Sequence, residues 1–152
     1  MSLRRYAGLL GFLLLLFIVS TSPAQSQDAR VAAGDVQQES LRGVTPREAI
    51  ELVQRNKKNA DFVILDVRTP EEFQSGHIEG AVNVDYYNPG FEVELGKLDR
   101  AKTYLVYCRT GSRSESTSAL MKELQFRQIY DLEGGITAWR AAGFSVPGQN
   151  RQ

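Results

Sequence analysis

The chain has 152 residues, and its 18 lysine and arginine side chains are balanced by 18 aspartates and glutamates. That length suits one domain of ordinary size, and the balanced charge argues against a nucleic-acid partner, which requires a basic surface. A single cysteine excludes an intramolecular disulfide, and a single histidine leaves no Cys/His cluster of the kind that holds a metal ion.

Residues 1–24 have the features of a secretory signal peptide. They begin with paired arginines, continue in an apolar run over residues 7–19 that is short for a bilayer span, and end in the small residues Ser-Pro-Ala. We therefore predict cleavage before Gln25 and export, to the periplasm of a bacterium, with no stable membrane association afterwards. An uncleaved membrane anchor is the alternative.

Residues 25–42 are rich in Gln, Ala, Ser and charge and lack hydrophobic periodicity, which predicts a flexible linker. The folded domain is predicted over residues 43–147. Residues 148–152 are polar and terminal, which predicts a flexible tail.

The predicted domain alternates helices and strands. Residues 45–48 read Thr-Pro-Arg-Glu and residues 69–72 read Thr-Pro-Glu-Glu; each combines a capping box with a proline at the first helical position. Residues 62–65 are a continuous apolar run, typical of a strand buried on both faces of a parallel sheet. Further strands are predicted near residue 82, at 104–107 and at 129–132. The predicted fold is an α/β sandwich with a mostly parallel central sheet and helices on both faces.

The lone cysteine stands directly after the predicted strand at residues 104–107. Residues 108–113, here named the cysteine loop, read Cys-Arg-Thr-Gly-Ser-Arg and precede a predicted helix. Backbone N–H groups converge ahead of a helix N-terminus, and we expect them, with the guanidinium groups of Arg109 and Arg113, to lower the pKa of Cys108. Cys108 is therefore predicted to be a nucleophile instead of a buried structural thiol.

The loop length indicates a family. The spacing Cys-x4-Arg resembles the six-residue loop of the rhodanese family of sulfurtransferases, whereas cysteine phosphatases have one residue more. Residues 66–73 and 76–83 resemble the upstream signature of that family, and residues 133–143, with their Gly-Gly pair and tryptophan, resemble the downstream one. The resemblance covers residues 43–146, and the layout is similar to small exported rhodaneses of the phage-shock type.

The resemblance implies a sulfur-transfer mechanism without metal or organic cofactor. The Cys108 thiolate would take the outer sulfur of a small anionic donor such as thiosulfate, release sulfite, and pass the sulfur from a persulfide to a thiol, a dithiol protein or cyanide. The predicted substrate-binding groups are the loop amides, the hydroxyls of Thr110 and Ser112, the closely approaching backbone at Gly111 and two fixed charges, on Arg109 and Arg113.

Other polar residues are predicted to be structural. Asp66 and Arg68 end a buried strand and are expected to support the loop as an internal ion pair or hydrogen-bond network. His77 is expected in a structural turn, bonded to backbone, and Trp139 in the core. A noncatalytic binding module, or a phosphatase or arsenate reductase on the same fold, remains the alternative function.

Overall fold

The computed structural model describes residues 40–147. The predicted signal peptide, most of the predicted linker and the predicted tail lie outside this range. Within residues 40–147, no helix combines the length and the hydrophobicity that a membrane crossing requires.

The described residues form a parallel sheet with the spatial order β1-β5-β4-β2-β3. All neighbouring pairs run parallel, so the sheet expected to be mostly parallel is entirely so in this range. The strands are β1 (Leu41–Val44), β2 (Phe62–Asp66), β3 (Val82–Asn83), β4 (Thr103–Tyr107) and β5 (Gln128–Leu132). The helices are α1 (Pro46–Arg55), α2 (Pro70–Gln74), α3 (Phe91–Gly96), α4 (Ser112–Glu123) and α5 (Gly135–Ala141).

Helices α1 and α2 begin as the sequence predicts. In α1 the Thr45 hydroxyl accepts from the Glu48 backbone N–H at 3.3 Å, while the Glu48 carboxylate accepts from the Thr45 N–H at 2.9 Å. Thr69 and Glu72 form the same reciprocal pair at the start of α2. Each box satisfies two backbone donors that a helix N-terminus otherwise leaves unpaired.

The central strand β4 divides the core into two clusters. Because side chains alternate along a strand, Tyr104 and Val106 pack on one face of the sheet, with residues of α3 and α4. Leu105 and Tyr107 pack on the other face, with residues of α1 and α5. Helices therefore cover both faces, which confirms the predicted α/β sandwich.

The predicted boundary between linker and domain was wrong by two residues. Strand β1 begins at Leu41, inside the predicted linker, and pairs with Ile129 to Leu132 of β5. The strand is short and lies at the sheet edge, with Arg42 and Gly43 exposed, so its sequence carries no continuous apolar signal. Its pairing with β5 is a long-range contact that local pattern does not reveal.

The carboxyl ends of β2, β4 and β5 meet at one edge of the sheet. Asp66 is the register partner of Tyr107, and Asp131 is the register partner of Val106. In open α/β sheets, ligands bind at this edge. The fold thus brings the cysteine loop, the residues after β2 and the start of α5 together.

Candidate active site

The cysteine loop encloses the thiol of Cys108. This residue directly follows β4 and is 1% exposed. Its Sγ accepts a hydrogen bond from the Gly111 N–H at 3.1 Å, and the N–H groups of Thr110 and Ser114 also bond the sulfur. Gly111 has φ +108° and precedes the first residue of α4. A left-handed glycine thus turns the loop so that its amides face inward.

These amides, and not the arginines, dominate the electrostatics of the thiol. Burial favours the neutral thiol, but hydrogen bonds from the N–H groups of Ser114, Gly111 and Thr110 and from the Ser114 hydroxyl outweigh it and lower the pKa of Cys108. A donor that points at the sulfur stabilises the anion more than the thiol. The lowered pKa was predicted; the guanidinium groups named as part of its cause are not its main source.

Arg113 is not the free second charge that the sequence suggested, because it is paired with a carboxylate. Its Nη1 and Nη2 bond the two carboxylate oxygens of Glu72 at 2.8 and 3.0 Å, and its guanidinium lies 5.4 Å from the centre of the Tyr87 ring. The carboxylate balances most of the positive charge, although Cys108 still contributes to the raised pKa of Arg113. Arg113 therefore ties the end of the cysteine loop to α2.

The outer residues of the loop face solvent. Arg109, Thr110 and Ser112 are exposed. Within residues 40–147 the Arg109 guanidinium has no hydrogen bond or ion pair. Thr110, Gly111 and Ser112 line a shallow cavity of about 630 Å³ beside the loop. Thr110 donates to the sulfur through its backbone N–H, so its hydroxyl remains available to solvent or to a ligand.

The start of α5 holds the loop from the other side. The N–H groups of Ile136 and Thr137 donate to the carbonyls of Cys108 and Arg109 at 2.9 and 3.1 Å. Gly135 has φ +57°, and a Cβ at this position would lie 2.5 Å from the Cys108 carbonyl oxygen. Only glycine allows this approach, so the Gly-Gly pair at the start of α5 sets how closely the helix contacts the cysteine loop.

Asp66 and Arg68 form a buried ion pair at the end of β2, 0% and 2% exposed. The Arg68 Nη2 lies 2.6 Å from Asp66 Oδ2 and also donates to the Gly76 carbonyl at 2.9 Å. The Arg68 guanidinium stands 5.6 Å from the ring centre of Tyr107, whose hydroxyl accepts from the Ile78 N–H. The pair thus packs beneath the residue that precedes Cys108 and fixes the 76–78 turn.

His77 and Trp139 both have structural surroundings. The His77 ring stacks on Phe73 with centroids 3.9 Å apart, and its Nδ1 lies 3.0 Å from the Phe73 carbonyl oxygen. Trp139 is buried, packs on Phe144, and donates from Nε1 to the Ser145 carbonyl at 3.1 Å.

Sequence reasoning missed Glu72 and Asp131, and for Ser114 it missed the role of the hydroxyl. Glu72 was recognised as a helix cap, but its ion pair with Arg113 spans 41 positions and leaves no local pattern. Ser114 is fully buried on the first turn of α4 and bonds the sulfur. Asp131 of β5 lies behind it, where Ser114 opposes the upward effect of burial on the pKa of this carboxyl. An acidic residue next to the last position of a buried strand was the signal available for Asp131.

A second cavity, of about 660 Å³, lies between α1 and residues 143–147. It is mostly apolar in lining and contains no residue of the cysteine loop. We place the chemistry at the loop because the nucleophile and its donors are there.

Comparison with known proteins agrees with this geometry. Residues 46–142 match the family described as Rhodanese-like domain. Thiosulfate sulfurtransferase GlpE of Pseudomonas putida is 37% identical over 98 residues, which cover 64% of this chain and 84% of that protein. The probable adenylyltransferase/sulfurtransferase MoeZ of Mycobacterium tuberculosis is 35% identical over 96 residues, 63% of this chain and 24% of that protein.

Solved structures share the fold. A rhodanese-related protein of Thermoplasma volcanium has a TM-score of 0.60 and 29% identity, covering 71% of this chain and 99% of that one. A Rhodopseudomonas palustris protein described as a possible tyrosine phosphatase has a TM-score of 0.58 and 25% identity, covering 72% of this chain and 86% of that one. The family match spans more than half of the sequence and includes the cysteine loop, the upstream signature, residues 133–142 of the downstream signature and the whole sheet after β1. The chain therefore belongs to the rhodanese-like family.

Proposed function

We propose that the protein is a sulfurtransferase that carries sulfane sulfur as a persulfide on Cys108, with thiosulfate or a similar small anion as donor. The observation that carries this proposal is the ring of N–H donors around the Cys108 sulfur, which lowers its pKa although the residue is buried. The same donors suit the negative charge of a persulfide. The names of the GlpE and MoeZ relatives support the reaction class.

The transfer balances without an external oxidant or reductant. The Cys108 thiolate attacks the outer sulfur of thiosulfate, the S–S bond of the donor breaks, and its electron pair leaves with sulfite. A thiolate acceptor then attacks the terminal sulfur, and Cys108 departs as a thiolate. The donors of the cysteine loop favour anionic sulfur, so they suit the Cys108 thiolate that attacks in the first step and leaves in the second.

A small donor suits the site because Cys108 is almost fully buried within its loop. The exposed Arg109 guanidinium, which is not paired within residues 40–147, offers one positive charge to an incoming anion. Because Glu72 balances the charge of Arg113, Arg109 alone attracts the anionic donor, and this attraction is weaker than that of two free charges. For the acceptor we propose a small thiol or a dithiol protein.

Intact-mass measurement tests the proposal. The purified protein incubated with thiosulfate should gain the mass of one sulfur atom and lose it again when cyanide or a thiol is added. The Cys108→Ser variant should gain nothing, because the chain has one cysteine. Sulfur transfer by a folded Cys108→Ser protein, or no mass gain by the wild type, would contradict the proposal.

A phosphatase is the second candidate, because one structural neighbour is described as a possible tyrosine phosphatase. The six-residue cysteine loop argues against it, since the phosphatase loop has one residue more. Hydrolysis of an aryl phosphate, lost in Cys108→Ser, together with no mass gain from thiosulfate, would favour the phosphatase. A protein with neither reaction would be a binding module.

We also propose that the protein is exported. The support is the sequence of residues 1–24, which lies outside the described residues. The N-terminus of the exported protein should begin at or near Gln25. Recovery of the uncleaved chain in the membrane fraction would favour an anchor.

A further inference from the structure

The Ser114 hydroxyl has one proton and three acceptors. Ser114 is fully buried, and its Oγ donates to the Gly111 carbonyl at 2.9 Å. The same hydroxyl is within hydrogen-bonding reach of the Cys108 sulfur and of the Asp131 carboxyl group. A hydroxyl donates only one hydrogen bond at a time. If one acceptor binds this proton more strongly, the other two acceptors therefore receive a weaker hydrogen bond from the hydroxyl.

Asp131 is the acceptor that is least satisfied. Its Oδ1 is buried and has no hydrogen-bond partner among residues 40–147. Residues in register on the neighbouring strands are Gly43 and Val106, which are uncharged. The charged groups that act on this carboxyl are acidic: Glu115 on α4 and Glu133 after β5. No cation compensates them within this set, so the environment favours the protonated carboxyl.

We propose that Asp131 is a positioning residue that controls, through the Ser114 hydroxyl, how strongly the Cys108 thiolate is stabilised. When Asp131 is protonated, it donates to Ser114 Oγ, and the Ser114 proton is available to the sulfur. When Asp131 is ionised, it competes for the Ser114 proton and adds a negative charge behind the loop. The sulfur then loses a donor, and the thiolate is less stable.

The range in which this switch operates follows from the site. Burial, opposed by the hydrogen bond from Ser114, raises the pKa of Asp131 to about 6. The carboxyl therefore changes state between mildly acidic and neutral pH. By linkage, ionisation of Asp131 raises the pKa of Cys108 by the same amount that the thiolate raises the pKa of Asp131. The inference concerns the thiol itself, so it does not depend on the proposed sulfur donor.

The test is a thiolate titration by ultraviolet absorbance, combined with the rate of alkylation by iodoacetamide. Asp131→Asn removes the charge and keeps a group that can donate to Ser114. We expect a lower pKa for Cys108 in this variant, with a thiolate-to-thiol ratio roughly 3- to 10-fold above that of the wild type near the midpoint. An unchanged Cys108 titration in a folded Asp131→Asn protein would overturn the proposal.

A double-mutant cycle separates action through Ser114 from direct repulsion. Ser114→Ala should raise the pKa of Cys108. In the Ser114→Ala background, Asp131→Asn should change the pKa of Cys108 by less than half of the change that it causes in the wild-type background. Equal effects in both backgrounds would show that Asp131 acts through space only, which contradicts the positioning role. Ser118→Ala is the matched control, because Ser118 is a buried hydroxyl one turn further along α4. It should leave the Cys108 titration unchanged.

A measurement on an unaltered Asp131 covers the case in which its variants do not fold. Carbon-13 NMR of the Asp131 carboxyl group should show a change of chemical shift at the titration midpoint of Cys108 in the wild type, and no change at that pH in Cys108→Ser. The absence of this change in the wild type would overturn the coupling.

Discussion

Arg113 and Glu72 form a two-point ion pair, with N–O distances of 2.8 and 3.0 Å, that joins the end of the cysteine loop to the first turn of α2. Glu72 also caps that helix through the Thr69 N–H, so one carboxylate serves both the helix and the loop. The pair is partly buried, 13% and 28% exposed at the side chains. With this geometry, the main role of Arg113 is to hold the end of the cysteine loop in place, because its charge is already paired with a carboxylate.

The first prediction tests whether Arg113 acts by holding the cysteine loop in place or by its positive charge. Arg113→Lys keeps the positive charge but loses the planar pair of donors, so we expect it to lower the free energy of unfolding by about 1–2 kcal/mol. Thiosulfate kcat/KM should fall almost as far as in Arg113→Ala. Urea unfolding and steady-state kinetics provide the two readouts. Arg55→Ala, which removes an exposed ion pair with Glu51, is the control and should cost under about 0.5 kcal/mol. Full activity in Arg113→Lys would show that charge alone matters.

The second prediction concerns Arg109. Arg109→Ala should lower thiosulfate kcat/KM by roughly 5- to 30-fold, the range for loss of one charge-assisted contact, and less than Arg113→Ala does. Part of the loss should disappear at high salt, because the attraction of an exposed charge is screened. Arg127→Ala is the control, since Arg127 is exposed ahead of β5 at the opposite edge of the sheet. Indifference of turnover to Arg109 and to salt would mean that the loop does not select anions.

The third prediction concerns the contact between α5 and the loop. Gly135→Ala places a Cβ 2.5 Å from the Cys108 carbonyl oxygen and 2.8 Å from the Arg109 carbonyl carbon, in a left-handed conformation. We expect a loss of about 2–3 kcal/mol in the free energy of unfolding and slower alkylation of Cys108. Gly96→Ala in α3 is the matched control, because nothing lies within 4 Å of its added Cβ. It should be neutral or slightly stabilising. Equal stability of the two variants would contradict the close contact.

The fourth prediction is a stability difference that depends on pH. The folded pKa of Asp131 is raised to about 6, so its favourable contribution is complete below the unfolded value and is lost as pH rises through about 6. Asp131→Asn should therefore be more stable than the wild type above about pH 7, by about 1–2 kcal/mol after solvent screening, and should lose that advantage below about pH 4. Urea unfolding across this range measures the difference. If Asp131→Asn were still more stable than the wild type in acid, its added stability would come from packing and not from removal of the charge.

The fifth prediction concerns Glu72, whose effect on stability should depend on pH in the opposite direction. Arg113 holds the pKa of Glu72 below its usual range, so this carboxylate stabilises the fold above its unfolded pKa and ceases to do so as pH falls through the folded value. Glu72→Gln should be less stable than the wild type at neutral pH, and the two should converge in acid. A constant difference at all pH values would assign the loss to the helix cap alone.

The sequence by itself determined the local features of this protein. Capping boxes at Thr45 and Thr69, the apolar run of β2 and the small polar loop after β4 depend on residues within a few positions of one another. Such short-range patterns are set by backbone hydrogen bonding and by the direction of neighbouring side chains. The nucleophile and the fold class followed from them, together with the family resemblance.

The tertiary structure decided what surrounds the sulfur. Glu72 reaches Arg113 from another helix, and Gly135 and Asp131 approach the loop from the end of β5, because strand order and register bring distant segments to one sheet edge. Strand β1 likewise exists through its pairing with β5. Two arginines in sequence suggested two charges at the thiolate, whereas in the fold one is paired with a carboxylate and inward-facing amides stabilise the anion. Charge can be counted in a sequence, but its partner and its distance from the sulfur are properties of the packed chain.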